Sequence, residues 1–103
     1  TPNYFGEVSG QFKSFFDRTY SYLNSDRLSR LKPGKSSVFV MSQGQPDLVL
    51  YTDVVARYDS WLVRHGFAQR YILRMNGPRE AGAVDERPDL TAQAQEIGRK
   101  LMA

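Results

Sequence analysis

Few side chains in this chain can do covalent or acid–base chemistry. There is no cysteine, and His65 is the single histidine. A disulfide scaffold, a thiolate metal site and a cysteine-held iron–sulfur cluster are therefore excluded within these residues. His65 stands directly before Gly66. An imidazole at such a helix end reads as a group interacting with the dipole, not as a ligand or base. Lys13, Asp17 and Arg18 form a charged set whose spacing reads as a surface ion pair or a subunit contact. The remaining candidate is the opening run Thr1-Pro2-Asn3-Tyr4-Phe5-Gly6. Pro2, Asn3 and Gly6 are loop formers, and a glycine lets backbone N–H groups approach a ligand closely. On composition alone, Tyr4 and Phe5 are ordinary core or loop aromatics.

The elements that must hold this loop follow from hydrophobic periodicity. Val8, Phe12, Phe15, Phe16, Tyr20 and Leu23 recur every three or four residues, which predicts a helix with Ser9 as N-cap. Asn24 to Gly34 is polar and ends in a Pro33-Gly34 turn. Ser37 to Ser42 holds the unbroken apolar run Val38 to Met41, which predicts a parallel strand buried on both faces. Gln43 to Asp47 is a loop, and Leu48 to Arg64 reads as the next helix, closed by Gly66 at the C′ position. On that helix Trp61, Tyr51, Tyr58 and Val54 read as core packing or as an oligomer face. Phe67 to Met75 is a second strand with one partly polar face, placed near a sheet edge. Asn76 to Asp89 is a loop, with Gly77 to Pro88 a connector, lid or interface segment. A final helix from Asp89 or Leu90 carries the stripe Leu90, Ala94, Ile97 and Leu101.

Strands alternating with helices imply parallel crossovers, hence an α/β architecture. Two parallel strands make a poor sheet, because such sheets are buried on both faces and need neighbours. The expectation is that further strands come from sequence before Thr1 or from a partner.

Composition sets the outer bounds. The 103 residues suit one domain, with 41% hydrophobic and 24% charged residues. No window approaches a membrane span and no leader sequence is visible, so a cytoplasmic protein without a membrane partner is expected. The net charge is +3, and the ten arginines among fourteen basic residues are scattered from Arg18 to Arg99. Nucleic-acid binders cluster their charge, so no nucleic-acid partner is expected.

The opening residues Thr1-Pro2-Asn3-Tyr4-Phe5-Gly6-Glu7-Val8-Ser9-Gly10-Gln11-Phe12-Lys13, followed by Phe15-Phe16-Asp17-Arg18, resemble the central motif of NAD(P)H-dependent FMN reductases. The branch with iron–sulfur flavoproteins and multimeric flavodoxin-like proteins is the most similar. Val38 to Gly44 resembles that family's fourth strand, and Gly82 to Leu101 its closing loop and helix. The resemblance implies a flavodoxin-like three-layer αβα fold with a parallel sheet. Residues 1–103 are then the C-terminal part of a single domain, with two strands and three helices. The earlier strands, the phosphate loop and any cluster cysteines would precede Thr1.

The resemblance also implies FMN as cofactor and NAD(P)H as electron donor. It puts Thr1, Pro2, Asn3, Tyr4, Phe5 and Gly6 at the flavin, and Ser42, Gln43 and Gly44 near its pyrimidine side. No catalytic side chain and no metal ligand is expected, because hydride transfer belongs to the cofactor. The function so implied is part of an FMN-dependent oxidoreductase that reduces flavin, quinone or another acceptor and forms a homo-oligomer. Without the phosphate loop, full FMN binding by these residues alone is not expected. An electron carrier of the same fold and a non-catalytic oligomerising fragment are the alternatives.

Overall fold

A computed structural model describes residues 1–77 and 80–103. Pro78 and Arg79, inside the segment read above as connector, lid or interface, lie outside the described residues. The architecture is mixed α/β. Two short strands, β1 (Asn3–Tyr4) and β2 (Glu7–Val8), form an antiparallel hairpin. Helix α1 (Gly10–Arg18) follows and tightens into a 3₁₀ turn at Thr19–Tyr22. Then come β3 (Ser36–Ser42), α2 (Thr52–Arg64), β4 (Gln69–Met75), a 3₁₀ turn at Ala83–Glu86, and α3 (Pro88–Leu101). Among the described residues, no helix is long and apolar enough to cross a membrane.

Strands β3 and β4 run parallel and in register from Ser36 opposite Gln69 to Ser42 opposite Met75. Helix α2 connects them, giving one βαβ unit. Alternation along β3 sends Phe39 and Met41 into the core. There they meet Val54, Val55 and Tyr58 of α2 and Val8 of the hairpin, with Phe12 and Phe16 of α1 packed against the cluster. The Tyr58 ring stacks on Phe39 with centroids 5.8 Å apart, and Phe12 meets both rings edge-on. Helices α1 and α2 therefore share one face of the sheet. Trp61 and Tyr51 also pack on this cluster, so the aromatic face of α2 is core packing here.

The opposite face carries Val38, Val40, Tyr71 and Leu73. Helix α3 packs on β4, with Lys100 above the Tyr71 ring. Val38 and Val40 of β3 stay exposed. The expectation of a strand buried on both faces is thus corrected: β3 is covered on one face only.

Two local expectations also change. The opening segment is a tight hairpin and not a loop, because Phe5 and Gly6 at its tip both take positive φ (53° and 75°). Two positive φ values in a two-residue turn match the twist of the flanking strands. The second helix starts four residues later than expected, at Thr52, because Tyr51 before it takes a left-handed φ of 68°. His65 is the C-cap of α2, at the helix end where its place before Gly66 put it, and it is buried. Its Nε2 lies 2.8 Å from Thr19 Oγ1, whose own proton goes to the Phe16 carbonyl. The imidazole is thus the Nε2–H donor. Burial lowers its pKa from the ordinary histidine value.

Candidate functional site

The site is assembled at the carboxyl ends of β3 and β4, starting from Thr1. The Thr1 carbonyl accepts from Ser42 N–H (3.1 Å), which lays Pro2 parallel beside the end of β3. Thr1 Oγ1 accepts from Ser9 N–H (3.0 Å), and Ser9 Oγ accepts from Phe12 N–H (3.1 Å). The hairpin base is thereby locked to both β3 and the α1 cap. On its other side, Glu7 pairs with Arg57 of α2. The hairpin turn lies close to Tyr51: a Cβ added at Gly6 would sit 3.4 Å from that ring. The left-handed backbone of Tyr51 thus precedes α2 beside the hairpin.

Pro2, Asn3 and Tyr4 line a cavity of about 300 Å³ together with Ser42, Gln43 and Gly44. Met75, Gly77 and Glu80 close it from the β4 side. Six of the nine expected site residues therefore meet around one space. Thr1 works behind the wall, as a hydrogen-bonding anchor. Gly6 forms the turn. Phe5 projects from the hairpin tip, fully exposed, and does not line the cavity.

The polar groups of the wall divide into occupied and free ones. Asn3 Oδ1 accepts from Gly6 N–H (3.1 Å) and shapes the turn. Asn3 Nδ2 is buried and has no partner. Gln43 is almost completely buried, at 5% exposure. Its N–H donates to the Met75 carbonyl (2.8 Å) and its Nε2 to the Gln45 and Asp47 carbonyls. Its Oε1 accepts from Arg74 Nη2 (2.6 Å). Gln43 is fully engaged in shaping the loop, so its side chain has no donor to spare for a ligand.

Two guanidinium groups hold the loops around this cavity, and neither was singled out by sequence reasoning. Arg74, on the fourth strand, donates to the Leu48 and Leu50 carbonyls as well as to Gln43. Arg87 donates to the Asn76 carbonyl (2.8 Å) and to Asn76 Oδ1 (3.1 Å). Asn76 Nδ2 in turn donates to the Pro46 carbonyl (2.6 Å), joining the loop after β4 to the loop after β3. Arg87 also pairs with Asp89, whose carboxyl is held below its usual range by that hydrogen bond. The signal in the sequence was only that Arg74 interrupts an apolar strand.

The arrangement offers backbone and amide groups and one exposed aromatic, Tyr4, around a concave space. Among the described residues, no group of three or more His, Asp or Glu could hold a metal ion. Asn3 Nδ2 is a buried donor without a partner in a residue that lines the cavity. No protein-family model matches the chain, and neither a curated protein nor a solved structure is significantly similar to it.

Proposed function

We propose that this chain is part of a flavodoxin-like domain of an NAD(P)H-dependent oxidoreductase, and that the cavity at Pro2–Tyr4 and Ser42–Gly44 takes the ring system of FMN. One observation carries the reading. Two segments far apart in sequence converge on one cavity beyond the carboxyl ends of parallel strands. In open α/β sheets, ligands bind in that position. The open edge of β3 and its bare Val38/Val40 face support a larger parallel sheet in the same way.

Asn3 would turn its buried, unpartnered amide toward the ring, Tyr4 would stack on it, and Pro2 and Gly44 would approach it through their backbone. FMN, when bound, supplies the hydride and electron chemistry. The residues around it bind and orient the ring, and none is required to move a proton.

The test is a fluorescence titration of FMN with the protein and with Asn3→Asp. That substitution keeps the acceptor for Gly6 N–H and removes the donor. Because the phosphate loop is not among these residues, the expected result is weak but saturable quenching by the wild type and affinity at least about tenfold weaker for the variant, the loss of one hydrogen bond of about 1.4 kcal/mol. Absence of quenching by the wild type sinks FMN binding by these residues alone. Equal affinity of the two proteins removes Asn3 from it. Assays of NAD(P)H oxidation with flavin and quinone acceptors then decide between reductase and electron carrier.

A further inference from the structure

We infer that Arg74 is the positioning residue of the wall that Ser42, Gln43 and Gly44 present to the cavity. Its role in ligand binding rests on the FMN reading above, but its hold on the loop does not.

The register places Arg74 beside Met41, which is almost wholly buried. An arginine beside such a residue must carry its charge to the end of the strand, and there the guanidinium meets the loop. Its Nη1 donates to the Leu48 carbonyl (2.6 Å), and its Nη2 to the Leu50 carbonyl (2.8 Å) and Gln43 Oε1 (2.6 Å). Gln43 then donates from Nε2 to the carbonyls of Gln45 (3.1 Å) and Asp47 (3.0 Å). One planar fork and one buried amide thus hold residues 43–50, a stretch without helix or strand. Every one of these acceptors is a neutral oxygen. The guanidinium is used as a shaped cluster of donors and not as half of an ion pair. The residues so held begin inside the cavity wall. They lie outside the hydrophobic cluster of Val8, Phe39, Met41, Val54, Val55 and Tyr58. Loss of the clamp should therefore loosen the wall and leave the core.

Lysine cannot replace this group. Its ammonium is a point charge and does not reproduce a planar fork that bridges acceptors on Gln43, Leu48 and Leu50.

The experiment compares wild type, Arg74→Met, Arg74→Lys, and Arg74→Met combined with Gln43→Met. Three quantities are read: secondary structure by circular dichroism, amide exchange at Val49, Leu50 and Thr52, and the FMN dissociation constant by flavin quenching. Those three amides donate within the clamped stretch, to Asp47 and to Val49. The expected result is native circular dichroism, exchange at least about tenfold faster at these amides, and FMN affinity at least about tenfold weaker. Arg74→Lys should restore little of either, and the double variant should be no worse than Arg74→Met, because residues of one network are not additive. Wild-type exchange at the three amides in folded Arg74→Lys or Arg74→Met overturns the clamp. Faster exchange with undiminished FMN affinity overturns its link to the site. If Arg74→Met does not fold, the comparison of Arg74→Lys with wild type decides both points. A wild type that binds no FMN defeats FMN binding by these residues alone, and with it the clamp's link to the site, while the exchange rates still decide the clamp.

Discussion

Single residues here carry conditions that the fold must meet. His65 is the clearest case. It is buried at 6% exposure, with Nε2–H directed at Thr19 and Nδ1 without a partner. Burial lowers its pKa below the usual 6.5. The unfolded chain then binds a proton at a pH where the folded chain does not. Stability is therefore full above about pH 6.5 and falls as the pH drops through that value toward the folded-state pKa. We expect urea midpoints measured from pH 7.5 to pH 5 to decline, and His65→Gln to flatten the decline. An unchanged slope in the variant would assign the acid sensitivity to other groups. The sequence placed this residue at the helix end but not in its pocket, because its position before Gly66 reports only the helix end. The pocket formed by Phe16, Thr19 and Tyr22 depends on how α1 turns over, and no spacing rule encodes that.

The elements show where local rules suffice and where they do not. Ser9 capping α1, the apolar run in β3 and Gly66 closing α2 were all legible, because each is fixed by chemistry within a few residues. The hairpin was not legible: its strands have two residues each, and its turn is Phe5-Gly6, where Asn-Gly is the usual signal. The start of α2 was missed for a related reason. Leu48 to Tyr51 continue the apolar pattern, but Arg74 holds the carbonyls of Leu48 and Leu50 from another strand. The residues that meet around the cavity, Pro2–Tyr4 and Ser42–Gly44, were named together only through the resemblance. Its clamps stayed hidden because a guanidinium satisfied by backbone carbonyls leaves no mark on residue type. The Phe5 turn allows a direct check. A non-glycine residue at positive φ costs about 1–2 kcal/mol, and asparagine tolerates that region. The Phe5 ring is fully exposed and packs on nothing that would offset the strain. Phe5→Asn should therefore raise stability by about 0.5–1 kcal/mol in denaturant titration. A loss of stability would show that the ring packs in solution.

At the scale of the whole molecule, the defining feature is a parallel sheet of two strands with one edge of β3 largely open. The hydrogen-bond directions along β3 can be worked out. Gln43 N–H donates toward β4, and Ser42 N–H donates away from it, to Thr1. Successive N–H groups of a strand point to opposite sides. Those of Phe39 and Met41 therefore face β4, while those of Val38 and Val40 face the open edge, where Thr1 and Pro2 reach only the far end of the strand. Val38 and Val40 also show their side chains on the bare face. An edge with unpaired backbone groups and exposed valines is a template for another strand. In the monomer, amide exchange should be slow at Phe39 and Met41 and fast at Val38 and Val40, a contrast readable by NMR at low protein concentration. If added chain concentration slows exchange at Val38 and Val40 alone, the edge is taken by a second copy. If those amides are protected at every concentration, the two-stranded sheet is not the form in solution. The same strand ends in the cavity wall at Ser42, so whatever extends the sheet at this edge also extends the site.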